Sequence, residues 1–434
     1  MPGTTRWDLV TAMVGLASLT SVWRIQDLFP VLATIQLPTL AMVAMYAAFV
    51  VDRDPRRRLR VVRGPILALG TAILALMVLS VPGGVYPGYS FSFILKDHIK
   101  TYLLLLLVAG SIRDFDDVKR LTMVQLGGAI LYAGMAARMP VGTDGRLGDL
   151  FYYDANDLGM LIVMTLPLIV FFLRREEAAW RRVMWGAGAG ILMLALVKSG
   201  SRGGFLGLLG IGIYLLFRFR AIKAHTRISA IAALFLLMMV FGSDKYWSMM
   251  GTLLHPTNDY NWSGKAESGR MEVWKRGIGY MMSHPLTGVG ANAFPAAEGM
   301  ISPLAERQSL GIGLKWSAAH NSFVQIGAEL GVGGLVIFLV LLYRAARLLH
   351  GIGNSRAGPG GASSREDAMA QAFAGALVGY LVAGFFLSQA YSAYLYTLLG
   401  LIAGLARVAS TGAPLALPKR AAWRSSAVPV PPVS

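Results

Sequence analysis

Long apolar runs recur along the whole chain and constrain its fold more than any other feature. Twelve such segments lie at roughly 8–23, 31–51, 64–82, 98–112, 118–137, 157–173, 183–198, 203–217, 228–242, 320–342, 368–388 and 391–408. A helix of about 20 apolar residues crosses a bilayer, and within lipid each backbone polar group must be satisfied inside the segment. The sequence therefore predicts an all-α fold, a polytopic transmembrane helical bundle of about 12 spans.

Composition agrees with a membrane bundle and excludes several other classes. Hydrophobic residues make up 55% of the chain and charged residues 15%, whereas soluble domains average about 25% charged residues. This excludes a disordered chain, a coiled coil and a typical soluble α/β enzyme. Cysteine is absent from the sequence, which excludes disulfides, thiol catalysis and Cys-ligated metals.

The distribution of basic residues predicts the orientation. Of the 40 Lys and Arg residues, 26 fall in one alternating set of connections and in the two termini. Cytoplasmic connections carry the excess of Lys and Arg in membrane proteins, so both termini are predicted to be cytoplasmic. The predicted organisation is transmembrane helices 1–9 in residues 1–242, a periplasmic loop with short helices in 243–319, transmembrane helices 10–12 in 320–411, and a disordered cytoplasmic tail in 412–434. A Gly/Ser-rich stretch at 351–364 predicts a flexible linker.

Ionisable residues near membrane depth on the outward side are the first candidates for function. Such a residue costs about 2.5–3.5 kcal/mol at a helix centre, so its presence needs a reason. Lys198, Ser201 and Arg202 lie in a short polar hairpin, residues 198–204, between two apolar spans. Its glycines allow a sharp turn and the close approach of a ligand. The alternative is an interfacial arginine that extends to water.

A second candidate is Arg270, in the long loop. The residues that follow it have helical spacing, so the sequence predicts an amphipathic helix on or near the membrane surface, with Ser268 as its N-cap. The apolar positions of that helix are Met271, Trp274, Ile278 and Met281. The alternative is that Arg270 is simply solvated.

A third candidate is His320, followed by Asn321, where the long loop enters a span. An imidazole with an ordinary pKa near 6.5 can accept a proton at neutral pH, although an interfacial or capping histidine is the alternative. Glu329 lies nine residues further on, about half a turn out of phase. It is therefore expected to pair with another helix rather than to orient His320.

Two further groups are open to two interpretations. Asp154, Asn156 and Asp157 precede a span on the outward side, where they either cap the helix or bind a ligand. The long loop carries four tryptophans, which either stack on sugars or form an interfacial aromatic belt. These are Trp247, Trp262, Trp274 and Trp316.

Four short elements of the sequence resemble motifs of the O-antigen ligase and polymerase superfamily. Residues 199–204 resemble its Ser-x-Ser-Arg turn, and 283–290 resemble its His-Pro-Leu-x-Gly-x-Gly loop element. Residues 320–334 are similar to its His-Asn element with a following Glu-x-Gly, and 154–158 to its Asp-Pro-Asn-Asp-Leu element, with Ala155 where proline is frequent. The elements occur in family order between about 150 and 340.

The resemblance implies a GT-C-like membrane glycosyltransferase of the bacterial inner membrane. Members take a glycan from an undecaprenyl-diphosphate (polyprenyl-diphosphate) carrier on the periplasmic face. Ligases pass it to a lipid acceptor such as lipopolysaccharide core, polymerases pass it to the next lipid-linked repeat unit, and other members transfer it to proteins. The implied partners are this donor, a lipid- or glycan-linked acceptor and membrane lipids, with no nucleic acid and no cofactor.

The resemblance also implies roles for the candidate residues. Arg202 and Arg270 would stabilise the diphosphate leaving group in place of a metal ion, because a guanidinium binds phosphate oxygens with two parallel hydrogen bonds. His320 would be the general base for the acceptor hydroxyl. The substrate-binding candidates are Lys198, Ser201, Asp154, Asn156, Asp157, Asn321 and Trp274.

Two other classes of function compete with an enzyme. A transporter or flippase of an anionic lipid-linked solute would use the arginines as counter-charges, but it is expected to show internal repeats and mid-span charges in both halves. The outward charges here gather at span ends beside one long loop, which favours the enzyme. A non-catalytic scaffold of an envelope complex is the third possibility.

Overall fold

The described part of the chain is helical almost throughout. The structure, a computed structural model, describes residues 7–57, 64–143, 145–148, 150, 152–175, 178–219, 223–255, 257, 259–264, 266–311, 316–354 and 365–411. Within these ranges the only β-pairing is one isolated antiparallel bridge between Val141 and Leu147.

Eighteen α-helices lie within the described residues. They are α1 (Leu9–Ser21), α2 (Ile25–Leu28), α3 (Pro30–Thr34), α4 (Leu37–Val51), α5 (Pro65–Ser80), α6 (Pro87–Phe93), α7 (Ile99–Ser111), α8 (Phe115–Ala136), α9 (Ala155–Arg175), α10 (Ala179–Ser199), α11 (Arg202–Phe217), α12 (Ala224–Phe241), α13 (Asp244–Gly251), α14 (Arg270–Ser283), α15 (Phe294–Met300), α16 (Ser322–Asn354), α17 (Arg365–Gly384) and α18 (Ala393–Thr411). Short 3-10 turns cover Pro55–Arg57, Thr252–Leu254 and Ala305–Leu310, and a π-helical turn covers Ile94–His98.

The helices confirm a helical polytopic membrane protein. Each of the twelve apolar segments coincides with helix, and six helices of the described residues are long and apolar enough to cross a membrane: α9, α10, α12, α16, α17 and α18. The apolar helices α1, α4, α5 and α11 are shorter. Most residues of α9 and α17 are buried, whereas α12 lies at the periphery with few of its residues buried.

Three segments differ in detail from the prediction. The run at 31–51 is interrupted between α3 and α4, where Gln36 has a left-handed backbone with φ of 50°. The run at 98–112 begins earlier, since helix extends back to Pro87 through the π-helical turn. The predicted linker at 351–364 starts too early, because α16 continues to Asn354. The rest of that linker and the tail at 412–434 lie outside the described residues.

The buried carboxylate of Glu329 fastens the loop before α15 to the kinked helix α16. Its oxygens accept hydrogen bonds from the backbone N–H groups of Asn292 (3.0 Å) and Phe294 (3.3 Å). Two residues later, α16 breaks at Gly331, whose φ is 70°. A side chain at Gly331 would meet the carbonyl of Pro285 at 2.4 Å. The residues 285–294 are therefore held in close contact with the break in α16.

A buried charge cluster lies at the end of the bundle where α1 begins and α4 and α7 end. Arg57 is 4% exposed, and its guanidinium donates to Asp8, Asp52 and the carbonyl of Ser111 at 2.7–3.1 Å. Asp117 is also buried and accepts from Arg113 and Arg120. These ion pairs tie the N-terminal helix to α8 at the end opposite to the α10–α11 turn.

Candidate active site

The turn between α10 and α11 positions Arg202 as the first residue of α11. Gly200 allows the turn, with φ of 58°. Ser201 is buried, and its hydroxyl accepts from the N–H of Gly204 at 3.0 Å, which makes it the N-cap of α11. The predicted hairpin is thus present, and Ser201 shapes it by capping the helix.

The guanidinium of Arg202 reaches across to the long loop. It donates to the carboxylate of Asp259 and, at 3.0 Å, to the hydroxyl of Thr252. Burial alone would raise the pKa of Asp259, but hydrogen bonds from Asn261 and Arg202 outweigh burial and lower it. Asp259 therefore stays ionised and holds Arg202 against the loop.

Arg270 begins α14, as the first residue of that helix. The N-cap is Gly269, so the prediction that Ser268 caps the helix is wrong. A side chain at Gly269 would meet the carbonyl of Tyr260 at 2.4 Å, so only glycine fits there. Burial lowers the pKa of Arg270, and the positive charges of Arg202 and Arg146 lower it further.

Arg146 is a member of this group that the sequence analysis missed. Its guanidinium donates to the carboxamide oxygen of Asn156 at 2.8 Å. The aliphatic part of its side chain packs against Gly200. A Cβ atom added at Gly200 would lie 2.9 Å from the Arg146 Cγ atom. Arg146, Arg202 and Arg270 together are called the arginine cluster below. The available signal was an arginine between two apolar runs, in a connection that the charge distribution predicts to face outward.

His320 lies at the entrance to α16 in a strained backbone conformation. Its φ is 48°, and its N–H donates to the hydroxyl of Ser388 at 2.8 Å. A non-glycine residue in this region costs roughly 1–2 kcal/mol, and such outliers gather at functional sites. The side-chain oxygen of Asn321 accepts from the N–H groups of Phe323 and Val324, so Asn321 caps α16.

The turn between α17 and α18 joins His320 to the start of α9. The side chain of Gln389 donates to Asp157 at 2.7 Å, while its backbone N–H donates to Ser322 at 3.1 Å. Ser388 and Gln389 were not predicted as site residues; the signal was the polar break between the last two apolar runs. Asp154 caps α9, because its carboxylate accepts from the N–H groups of Asn156 and Asp157 at 2.7 Å.

Aromatic side chains fill the space between α14, α17 and the loop. Trp274 packs edge-on against Trp262 and Phe385, and its indole N–H donates to the carbonyl of Ala319, the neighbour of His320, at 2.9 Å. Trp262 also contacts Phe386, which in turn lies over Gly203 beside Arg202.

Three of the residues that the sequence analysis considered lie away from this group. The ammonium of Lys198 donates to the carbonyls of Ala137 (2.7 Å) and Met139 (3.0 Å), at the C-terminal end of α8. Trp316 lies on Gly299 and Trp247 packs against Tyr246, so neither belongs to the aromatic group around Trp274.

A continuous path of contacts now connects the predicted residues at one end of the bundle. It runs from Arg202 through Asp259 and Asn261 to the start of α14, then through Trp274 and Ala319 to His320. From there it passes through Ser388, Gln389 and Asp157 to Asn156 and Arg146, and returns over Gly200. Within the described residues, no group of three His, Asp or Glu side chains is arranged to hold a metal ion.

An apolar groove of about 200 Å³ lies between α11 and the peripheral helix α12. It begins at Phe205, three residues after Arg202, and its lining includes Leu209, Ile213, Phe235 and Met238. Helix α12 is mostly exposed, so the groove faces the surroundings of the bundle. One end of this apolar groove therefore lies about one helical turn along α11 from Arg202.

The fold and the site define a polytopic helical membrane protein with a cationic polar site at one end of its bundle. Residues 187–339 match the family model described as O-antigen ligase, so the resemblance of this part of the chain to that family is confirmed. The match contains Arg202, Arg270, His320 and Glu329, and it begins after Arg146 and the start of α9. No curated protein matches the chain. The chain is therefore a membrane protein with a glycosyl-transferring, ligase-type role.

Proposed function

We propose that the protein transfers a glycan from a polyprenyl-diphosphate carrier to an acceptor hydroxyl, on the periplasmic face of a bacterial inner membrane. The observation that carries this proposal is the arginine cluster. Its three guanidinium groups and the Asp259 carboxylate together carry two net positive charges. A diphosphate diester carries two negative charges, so the cluster matches the donor in both charge and hydrogen-bonding geometry.

The arginine cluster is suited to stabilise the transition state of the reaction as well as to bind the donor. As the bond between the anomeric carbon and the diphosphate oxygen breaks, the leaving group gains a third negative charge. Fixed cations aimed at developing charge are usually the largest catalytic contribution. Burial lowers the pKa of Arg270, and the same loss of solvent strengthens its attraction to the leaving oxygen. We propose that these guanidinium groups replace a metal ion.

His320 is the proposed general base. As the acceptor oxygen bonds to the anomeric carbon, its proton passes to the imidazole. Support comes from the strained backbone of His320, which Ser388 holds, and from Trp274, which tethers the preceding residue. Trp262 and Trp274 offer apolar ring faces suited to a sugar, and Asp157 and Asn156 lie between His320 and Arg146 as candidates for glycan hydroxyls.

The apolar groove between α11 and α12 is the proposed place for the isoprenoid chain. It starts one helical turn from Arg202, so a chain in the groove would deliver its diphosphate to the arginine cluster. Its lining is apolar along its whole described length, as an isoprenoid requires.

A deletion strain tests the reaction and separates its two forms. Loss of all ligated polymer, with accumulation of lipid-linked polymer, indicates a ligase. Acceptors capped by single units indicate a polymerase. Restoration by the wild-type gene but not by an Arg202→Ala, Arg270→Ala variant at equal membrane level supports the proposed site. An unchanged glycan profile in the deletion strain would contradict the proposal.

A further inference from the structure

A second cavity lies at the opposite end of the bundle from the arginine cluster. It has a volume of about 370 Å³ and lies between the C-terminal ends of α11 and α16 and one face of α17. Helix α11 runs from Arg202 to this end, and α16 runs to it from near His320, so the basic end of the cavity and the arginine cluster lie at opposite ends of these helices.

The rim of this cavity is basic. Arg218, Arg347 and His350 line it, with the Arg218 guanidinium 3.4 Å and the Asn354 amide 2.8 Å from the His350 ring. None of its lining residues is acidic. In the described part of the chain, no carboxylate forms an ion pair with Arg218 or Arg347.

The floor of the cavity is apolar and opens sideways. Ala374, Leu377, Val378 and Leu381 line it along one face of α17. Leu381 is 37% exposed and Tyr343 on the facing helix 58% exposed, so the floor meets the surroundings of the bundle rather than ending in its core. A ligand with a charged head and an apolar chain therefore fits this lining.

We propose that this cavity binds one anionic phospholipid, with its phosphate between Arg218 and Arg347 and an acyl chain along α17. Basic pockets between spans commonly bind anionic head groups. The rim has cations and no carboxylate that would receive an ammonium group, so the head group is a net anionic one and not phosphatidylethanolamine. Such a lipid would join α11, α16 and α17, the helices that carry Arg202, His320 and the turn that positions it.

Native mass spectrometry of the full-length protein in detergent tests this proposal. Phosphatidylglycerol and phosphatidylethanolamine of equal chain length are titrated separately. The wild type is expected to bind one phosphatidylglycerol in preference. Because each basic residue contributes roughly fivefold, the Arg218→Gln, Arg347→Gln variant should bind it about 30-fold more weakly. Inorganic phosphate should compete poorly, because it lacks the chain that contacts the floor.

Two variants serve as controls for this test. Arg344→Gln removes the same charge from α16, one turn from Arg347 and outside the cavity, and it should bind like the wild type. Ala374→Trp fills the apolar floor with both arginines intact, and it should lose the lipid. Equal binding of the two lipids by the wild type, or an equal loss in the Arg344→Gln variant, would overturn the proposal.

Discussion

Replacing Arg146 by glutamine tests the part of the site that the sequence did not indicate. Glutamine keeps a polar but shorter side chain in place of the guanidinium that bonds to Asn156, and it removes one of the three positive charges of the arginine cluster. The net charge of the arginine cluster with Asp259 then falls from two to one. We expect weaker donor binding and slower transfer, because the same guanidinium meets the diphosphate before and during bond cleavage.

The size of the effect follows from the kind of contact that is lost. Hydrogen bonds to charged groups contribute about 1.5–3 kcal/mol, which corresponds to a loss of roughly 10- to 150-fold in donor affinity at 1.4 kcal/mol per factor of ten. Arg146 is only half-buried, so the lower part of this range is expected. The measurement is donor binding by the purified variant, followed by the rate of glycan transfer at saturating donor.

Lys198→Gln is the matched control for Arg146→Gln. Lys198 is also a cation at this end of the bundle, but its ammonium donates hydrogen bonds to the end of α8. Its loss should lower thermal stability and leave donor affinity nearly unchanged. Normal donor affinity in Arg146→Gln, together with a clear loss in Lys198→Gln, would refute the assignment of Arg146.

Three further predictions concern the metal, the lipid chain and the topology. Transfer by the purified enzyme should survive EDTA, and strict dependence on magnesium or manganese would refute the role of the arginines as a metal substitute. Leu209→Trp should obstruct the α11–α12 groove and remove any preference for long over short isoprenoid donors, whereas Ile228→Trp, exposed on α12 outside the groove, should keep it. Reporter fusions at Gly264 should read periplasmic and at Gly360 cytoplasmic; the reverse would place the arginine cluster on the wrong face.

The helices could be predicted from the sequence because a bilayer sets their length and excludes unpaired backbone. Only local departures from the predicted helices were missed. One example is the break at Gln36, which depends on a residue with a left-handed backbone inside an apolar run. The N-cap of α14 was wrong for a related reason. A favourable cap residue, Ser268, is adjacent, but the close approach of the Tyr260 carbonyl requires glycine at the cap position.

Residues of the candidate site could be predicted only where the neighbouring sequence makes them recognisable. Arg202, Arg270 and His320 lie beside turns with recognisable neighbours. Arg146 and Gln389 act through partners that the fold brings to them, and Gln389 bonds to Asp157 across 232 residues of sequence. A single sequence carries no sign of such a pairing. Similarly, the capping roles of Ser201 and Asn321 appear only when the first turn of each helix is known.

The central claim is that the arginine cluster binds the donor while His320 removes the acceptor proton. The most direct measurement is the transfer rate and donor affinity of the His320→Asn variant. Asparagine is chosen because it tolerates the left-handed backbone that His320 has in the structure. A positioned general base contributes about 10²–10⁴-fold in rate. The variant is therefore predicted to bind the donor like the wild type and to transfer glycan slower by that factor. Near-normal transfer by His320→Asn would contradict the proposed mechanism.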